Sequence, residues 1–148
     1  MEEKKEDLEQ IEKQFIIGSD AENEDFINLM RRVINYAKVD KNGYVIINEV
    51  INRKITLQDK ILLILTVRYL ASKLQEKLEK DITISAEVSA EELAKMAKST
   101  KNVMFARVTE LKTARKLISG NTKGSYVILD YHIKDFLNKL DNISNKNT

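Results

Sequence analysis

Residues 82–131 read ITISAEVSAEELAKMAKSTKNVMFARVTELKTARKLISGNTKGSYVILDY, and this stretch decides the fold. Alternating apolar and polar residues at 82–85 predict a short strand. Ser89, with Glu92 three residues later, matches a capping box and predicts a helix that ends near residue 98. A second helix follows after only a short polar turn at 99–100. Two short helices joined by so brief a turn have to cross at a large angle, which predicts a helix-turn-helix.

The second helix, residues 101–114, is predicted to have one buried and one exposed face. At about 100° per residue, Met104, Val108 and Leu111 fall on the buried side. Short polar and methyl-bearing side chains occupy the outward side: Asn102, Ala106, Thr109 and Thr113. Asn can pair with adenine, while Ala and Thr can contact the methyl group of thymine. If this outward face binds duplex DNA, we therefore expect it to prefer A·T-containing sites. A binding-site selection that returned G·C-rich sequences would contradict this preference.

A β-hairpin is predicted after this helix. Residues 117–118 and 126–129 are apolar and the second run is β-rich, while the polar loop between them carries Gly120, Lys123 and Gly124. Small residues at the tip allow a close approach to the backbone of a nucleic acid. The hairpin therefore adds a second candidate contact beside the helix.

The net charge of +2 conceals two opposite regions. Residues 1–25 carry ten acids and three lysines, which is a local charge of −7. Residues 95–123 carry eight basic residues and one acid, Glu110, which is a local charge of +7. A concentration of positive charge of this size attracts a polyanion at modest salt. An ordinary solvated lysine-rich surface is the alternative interpretation.

The candidate DNA-binding residues combine the outward helix face with the cations around it. Lysines beside such a helix reach phosphates and position the protein without reading sequence. Arg107 lies nearer the core margin, so we expect it to reach either a phosphate or an internal carboxylate. The full set is Lys98, Thr100, Lys101, Asn102, Phe105, Ala106, Arg107, Thr109, Lys112, Thr113, Lys116, Asn121 and Lys123.

The whole chain divides into four predicted segments. They are an acidic flexible arm or frayed helix at 1–18, a helix over 24–39 plus a short β segment at 44–47 within 19–54, the main domain with a C-terminal helix at 55–141, and a disordered tail at 142–148. Residues 56–79 predict a long helix, apolar around most of its circumference in the first half, at the centre of the domain. Its one-sided second half, 72–80, predicts either a homodimer contact or packing within the monomer.

Composition and motifs argue against other classes of protein. Hydrophobic residues at 43% and charged residues at 32% fit a globular protein, and no apolar run reaches the about 18 residues that a membrane span needs. The chain has no Cys and a single His, His132, without a metal-ligand or catalytic motif around it. We therefore expect no catalytic residues, no metal site and no cofactor, and a cytoplasmic, nucleoid-associated location.

Residues 55–130 resemble the winged helix-turn-helix superfamily, in particular its compact archaeal and bacterial DNA-binding regulators. The resemblance rests on the central helix at 56–79, the capped helix at 89–98, and the helix from Lys101 that runs through Leu117 and Ile118 into the glycine hairpin. It implies a mainly α fold with a small β-hairpin wing (α+β), to which the predicted N-terminal helix adds a helical extension. It also implies sequence-dependent binding to double-stranded DNA, commonly as a homodimer, with the wing touching the backbone or minor groove.

The chain departs from the family at one junction. Many members place Gly just before the apolar pair that starts the wing strand, whereas here Ala114, Arg115 and Lys116 stand there. We therefore expect the recognition helix to end differently or to run longer.

Three functions fit these observations. The first is a transcriptional regulator or chromatin-associated protein that binds duplex DNA through 101–114 and the basic wing. The second is a winged-helix module that binds a protein partner within a larger assembly. The third is RNA binding, for which the chain offers only Phe105, Tyr126 and Tyr131 near the basic region as stacking residues.

Overall fold

The computed structural model describes the backbone of residues 2–15, 20–121 and 124–146, and the side chains of 4–11, 23–121 and 124–146. The described chain is mostly helical, with a two-stranded and a three-stranded antiparallel sheet. This confirms the predicted α+β class with a large helical share.

The elements follow one another in the order helix, helix, hairpin, helix, helix, strand, helix, helix, hairpin, helix. Their bounds are α1 Glu2–Phe15, α2 Asp20–Val33, β1 Ala37–Val39, β2 Val45–Ile47, α3 Glu49–Asn52, α4 Leu57–Lys77, β3 Val88–Ser89, α5 Ala90–Ala97, α6 Lys101–Thr109, β4 Ile118–Gly120, β5 Ser125–Ile128 and α7 Ile133–Asn145. A π-helical turn, Glu110–Ala114, extends α6, and a 3-10 turn, Asp130–His132, precedes α7.

The long helix α4 forms the centre of the core. Thr56 caps its N-terminus by accepting a hydrogen bond from the backbone N–H of Asp59 at 3.2 Å. The run from Ile61 to Leu65 is at most 2% exposed, because α4 is packed against α5, α6, β1, β2 and β5. This confirms the predicted central position of the helix.

The helix pair α5 and α6 follows the predicted pattern. Ser89 accepts a hydrogen bond from the backbone N–H of Glu92, and the Glu92 carboxylate accepts one from the Ser89 N–H, so the capping box is present. Met104, Val108 and Leu111 are fully buried. The predicted buried face of the second helix is therefore confirmed.

The three-stranded sheet has the order β3-β5-β4. Val88 pairs with Tyr126, and Ile118 pairs with Ile128, all antiparallel. The strand before α5 thus lies beside the second strand of the hairpin after α6. This arrangement ties both ends of the helix pair to one small sheet.

The strand predicted at 82–85 is wrong, and the strand lies at Val88–Ser89 instead. The side-chain Oε1 of Gln75 accepts hydrogen bonds from the backbone N–H groups of Thr83 and Ile84, both at 3.0 Å. These backbone donors are therefore satisfied by a side chain of α4, and no neighbouring strand is required. Of the two isoleucines in the pattern, only Ile84 is buried, whereas Ile82 is 56% exposed.

The helix predicted over 24–39 is wrong in its second half. The helix α2 ends at Val33, and Ala37–Val39 pair with Val45–Ile47 as a hairpin. Tertiary pairing outweighs the helical spacing here, because Ala37 and Val45 both enter the core as strand residues. The β segment predicted at 44–47 is confirmed as β2.

The disordered tail predicted at 142–148 begins too early. The helix α7 continues to Asn145, because Ile143 packs against the core and extends the apolar stripe of the helix. Residues 147–148 lie outside the described residues. Within the predicted arm 1–18, Glu2–Phe15 form α1, and the described side chains at 4–11 are exposed.

Candidate nucleic-acid interface

The outward face of α6 is exposed along its length. Asn102, Ala106, Thr109 and Thr113 all lie on the surface. The hydroxyl of Thr109 donates to the carbonyl of Phe105 at 2.8 Å, and that of Thr113 donates to the carbonyl of Thr109 at 2.7 Å. Since these hydroxyl protons are used within the helix, the two threonines offer methyl groups and acceptor oxygens to a ligand. The structure thus places the four residues predicted to contact bases on one surface.

The helix pair and the segment that follows it carry several lysines. Five of them are exposed and form no ion pair with any described residue: Lys95, Lys98, Lys101, Lys112 and Lys116. The Lys101 ammonium lies 5.8 Å from the centroid of the Phe105 ring, which is 43% exposed. The exposed hydroxyl of Thr100 accepts from the Val103 N–H and caps α6.

The end of α6 differs from a regular α-helix. The amide of Arg115 donates to the carbonyl of Glu110, and the amide of Leu117 donates to the carbonyl of Leu111. Lys116 takes the left-handed conformation, with φ of 54°. This is a conformation that Gly usually supplies at helix ends. The helix is therefore extended by a π-helical turn and closed by a lysine.

Two arginines of the basic region are engaged by neighbouring side chains. Arg107 Nη2 lies 3.1 Å from Glu110 Oε1, and Arg115 Nη1 donates to Gln58 Oε1 at 2.6 Å. Gln58 Nε2 also donates to Glu110. Of the two partners predicted for Arg107, the structure has the carboxylate. The basic surface is therefore built mainly from lysines.

The hairpin and α6 are close to each other. A Cβ placed on Gly120 would lie 3.3 Å from Lys112 Nζ and 3.1 Å from a ring carbon of Tyr126. Asn121 closes the turn, because its Oδ1 accepts from the Ser125 N–H at 3.0 Å, and its Nδ2 donates to Glu87 at 3.2 Å. Lys123, the predicted cation at the tip, lies outside the described residues.

Arg68 is a residue whose importance the sequence pattern did not reveal. It is 6% exposed and lies within the apolar run of α4. Its Nη1 lies 3.5 Å from the carboxylate of Glu92 in the capping box, and its Nε donates to the carbonyl of Ser85 at 2.7 Å. Arg68 thereby holds the start of α5 against the central helix.

The chain matches no protein-family model, no curated protein and no solved structure. In the described part of the chain, no helix combines the length and the apolar character needed to cross a membrane. Among the same residues, no group of three or more acidic or His side chains is placed to hold a metal ion.

Proposed function

We propose that this protein is a winged-helix DNA-binding protein that acts as a transcriptional regulator or chromatin-associated factor. One observation supports the proposal above all. The outward face of α6 and its π-helical extension presents short side chains together with the exposed, unpaired Lys101 and Lys112, on a helix pair followed directly by a hairpin. Glu110, the acid nearest to this face in sequence, is held by Arg107 and Gln58. The surface is therefore positive without a competing carboxylate of its own helix.

In this proposal α6 enters the major groove. Ala106 and the methyl groups of Thr109 and Thr113 are suited to thymine methyls, and the Asn102 amide is suited to adenine. Lys98, at the turn between the helices, and Lys101, at the start of α6, would bind phosphates on one side of the groove. Lys112, whose ammonium lies beside Gly120, would bind the phosphates between helix and hairpin.

Removing the two lysines beside the outward face of α6 tests this function. The double variant Lys101→Ala with Lys112→Ala should bind duplex DNA about ten-fold or more weakly. The slope of log K against the logarithm of the salt concentration should become shallower by about 2, because two phosphate contacts are lost. Fluorescence anisotropy at several salt concentrations measures both quantities. The matched control is Lys80→Ala with Lys134→Ala, which removes the same charge from exposed positions outside this surface. Equal affinities for the two double variants would contradict the proposed surface.

Association into a homodimer is part of the proposal. Leu74, Leu78 and Ile82 are 36%, 55% and 56% exposed at the end of α4 and just beyond it. Their burial between two copies would place two α6 helices for two half-sites of DNA. We expect sedimentation analysis to show a dimer that Leu78→Glu converts to a monomer, whereas a monomeric wild-type protein would contradict this contact.

A further inference from the structure

A cavity of about 240 Å³ lies where the end of the α6 extension, the hairpin, α4 and α7 meet. Its apolar wall consists of Leu62, Leu117, Ile128 and Phe136, of which all but Leu117 are buried. A cavity of about 150 Å³ in a protein core is large enough to admit benzene. The space here therefore suits one aromatic ring or one branched aliphatic chain together with a small polar group.

Charged side chains line the same cavity, and they differ in how far they are already paired. Lys139 lies 3.0 Å from Asp59, whose side chain is 2% exposed, so this lysine is needed to neutralise a buried carboxylate. Arg115 forms no ion pair with a described residue, and its Nη1 donates to Gln58. Since an arginine has five N–H donors, Arg115 retains the capacity to bind a carboxylate.

We propose that this cavity binds a small carboxylic acid with an apolar body, whose carboxylate is held by Arg115. The planar guanidinium matches a carboxylate with two parallel hydrogen bonds, and the apolar wall takes the ring or chain. Asp135, exposed on the same rim and without an ion pair among the described residues, is the acceptor for an ammonium group. An apolar α-amino acid and the corresponding deaminated acid share the chemistry that the cavity fits.

The position of the cavity connects it to the proposed DNA-binding surface. Arg115 directly follows the π-helical turn that extends α6, Leu117 immediately precedes β4, and Ile128 is the last residue of β5. A ligand that contacts all three changes DNA affinity if it prefers one arrangement of helix and hairpin over another. This effector role rests on the proposed function, whereas binding of the ligand does not.

Calorimetric titration of the full chain without DNA tests the binding. The probes are L-phenylalanine, 3-phenylpropanoate and phenethylamine, each up to about 10 mM. We expect both carboxylates to bind and phenethylamine not to bind. Arg115→Gln should raise the Kd of both acids about ten- to hundred-fold, because a charge-assisted hydrogen-bond pair is lost. The control Lys134→Gln makes the same charge change on α7 outside the cavity and should leave the Kd unchanged.

Two further variants separate loss of the site from loss of the fold. Asp135→Asn should weaken the binding of L-phenylalanine but not that of 3-phenylpropanoate. Leu117→Trp should fill the cavity and abolish the binding of both ligands, while the helical circular dichroism of the protein is retained. Absence of binding to the wild-type protein, or equal Kd values in wild type and Arg115→Gln, would overturn the site. If the acids bind but leave DNA affinity unchanged, the effector role is wrong; if no DNA is bound at any salt, only the proposed function fails.

Discussion

Arg68 joins two loops to the central helix, the turn between β1 and β2 and the segment between α4 and β3. Its Nε donates to the Ser85 carbonyl at 2.7 Å, its Nη1 to the Gly43 carbonyl at 3.0 Å and its Nη2 to the Glu87 carbonyl at 3.3 Å. A Cβ on Gly43 would lie 3.2 Å from Arg68 Cζ, and Gly43 has φ of 88°, so this turn requires glycine. A buried guanidinium is tolerated here because carbonyl oxygens and Glu92 satisfy it.

Lys98 is a second residue with an unusual backbone conformation. It ends α5 with φ of 55° and ψ of 49°, a left-handed conformation that is costly for a residue with a Cβ. Lys98→Gly should stabilise the protein by roughly 0.5–1 kcal/mol, because relief of this strain exceeds the added entropy of the unfolded chain. Chemical denaturation measures the change.

The matched control for Lys98→Gly is Lys95→Gly, three residues earlier on the same helix. Lys95 is exposed and lies inside α5, so Gly there should destabilise by about 1 kcal/mol. Destabilisation by both substitutions would show that the left-handed conformation at residue 98 carries no strain. The comparison removes one lysine in each variant and therefore keeps the charge equal.

At the scale of elements, α2 and α7 are joined by a polar cluster. Tyr36, just beyond α2, donates a hydrogen bond to Asp141 Oδ1, while Arg32 donates to Asp141 Oδ2 at 2.8 Å and to Asn138 at 2.7 Å. Burial, and then the hydrogen bond to Asp141, raises the pKa of the Tyr36 hydroxyl to about 12. The neutral phenol is thus favoured in the folded state.

This cluster predicts a specific dependence of stability on pH. The pKa of Tyr36 is about 12 in the folded chain and about 10 in the unfolded chain. The contribution of this hydroxyl to the free energy of unfolding is therefore complete below pH 10 and is lost as the pH rises from 10 to about 12. Tyr36→Phe should be less stable than wild type at pH 9, and the difference should shrink toward pH 12. Urea denaturation of both proteins measures it. A difference independent of pH would contradict the assignment.

The end of α6 shows how an element can depart from its sequence pattern without losing its role. The π-helical turn Glu110–Ala114 keeps Leu111 fully buried. Thr113 remains exposed, as the continuous helix of the prediction also requires. The predicted buried and outward faces are therefore preserved through the irregular turn.

At the scale of the whole molecule, the acidic N-terminal segment carries a charge opposite to that of the basic region around α6. Deleting residues 1–18 removes six acids and three lysines and so changes the net charge from +2 to +5. If α1 shields the lysines around α6, the deletion should raise DNA affinity several-fold at low salt and less at high salt, because screening weakens the attraction. Anisotropy titrations at two salt concentrations measure the change.

A charge-matched variant keeps the arm in place. Glu6→Gln, Asp7→Asn and Glu9→Gln together also change the net charge from +2 to +5, while the exposed Leu8 and Ile11 remain. Equal gains in affinity from this variant and from the deletion would assign the effect to charge. Unchanged affinity in both would remove shielding as a role for the arm.

Much of the fold could be predicted because it depends on neighbours in the chain. Three features arise from residues that lie within about ten positions of each other in the chain: the capping box of Ser89, the buried stripe of α6 and the glycine hairpin. The strand at Val88–Ser89 and the hairpin partner Ala37–Val39 were misplaced, because a strand is defined by its partner and not by its own alternation.

The amino-acid sequence by itself determined the order of helices and hairpin, the two faces of the second helix and the separation of acidic from basic regions. Only the tertiary structure decided which cations are free. Gln58, which is 52 and 57 positions away from Glu110 and Arg115, engages both of them. Such contacts, like the burial of Arg68 and the cavity beside Arg115, depend on distant segments that meet only when the chain is folded.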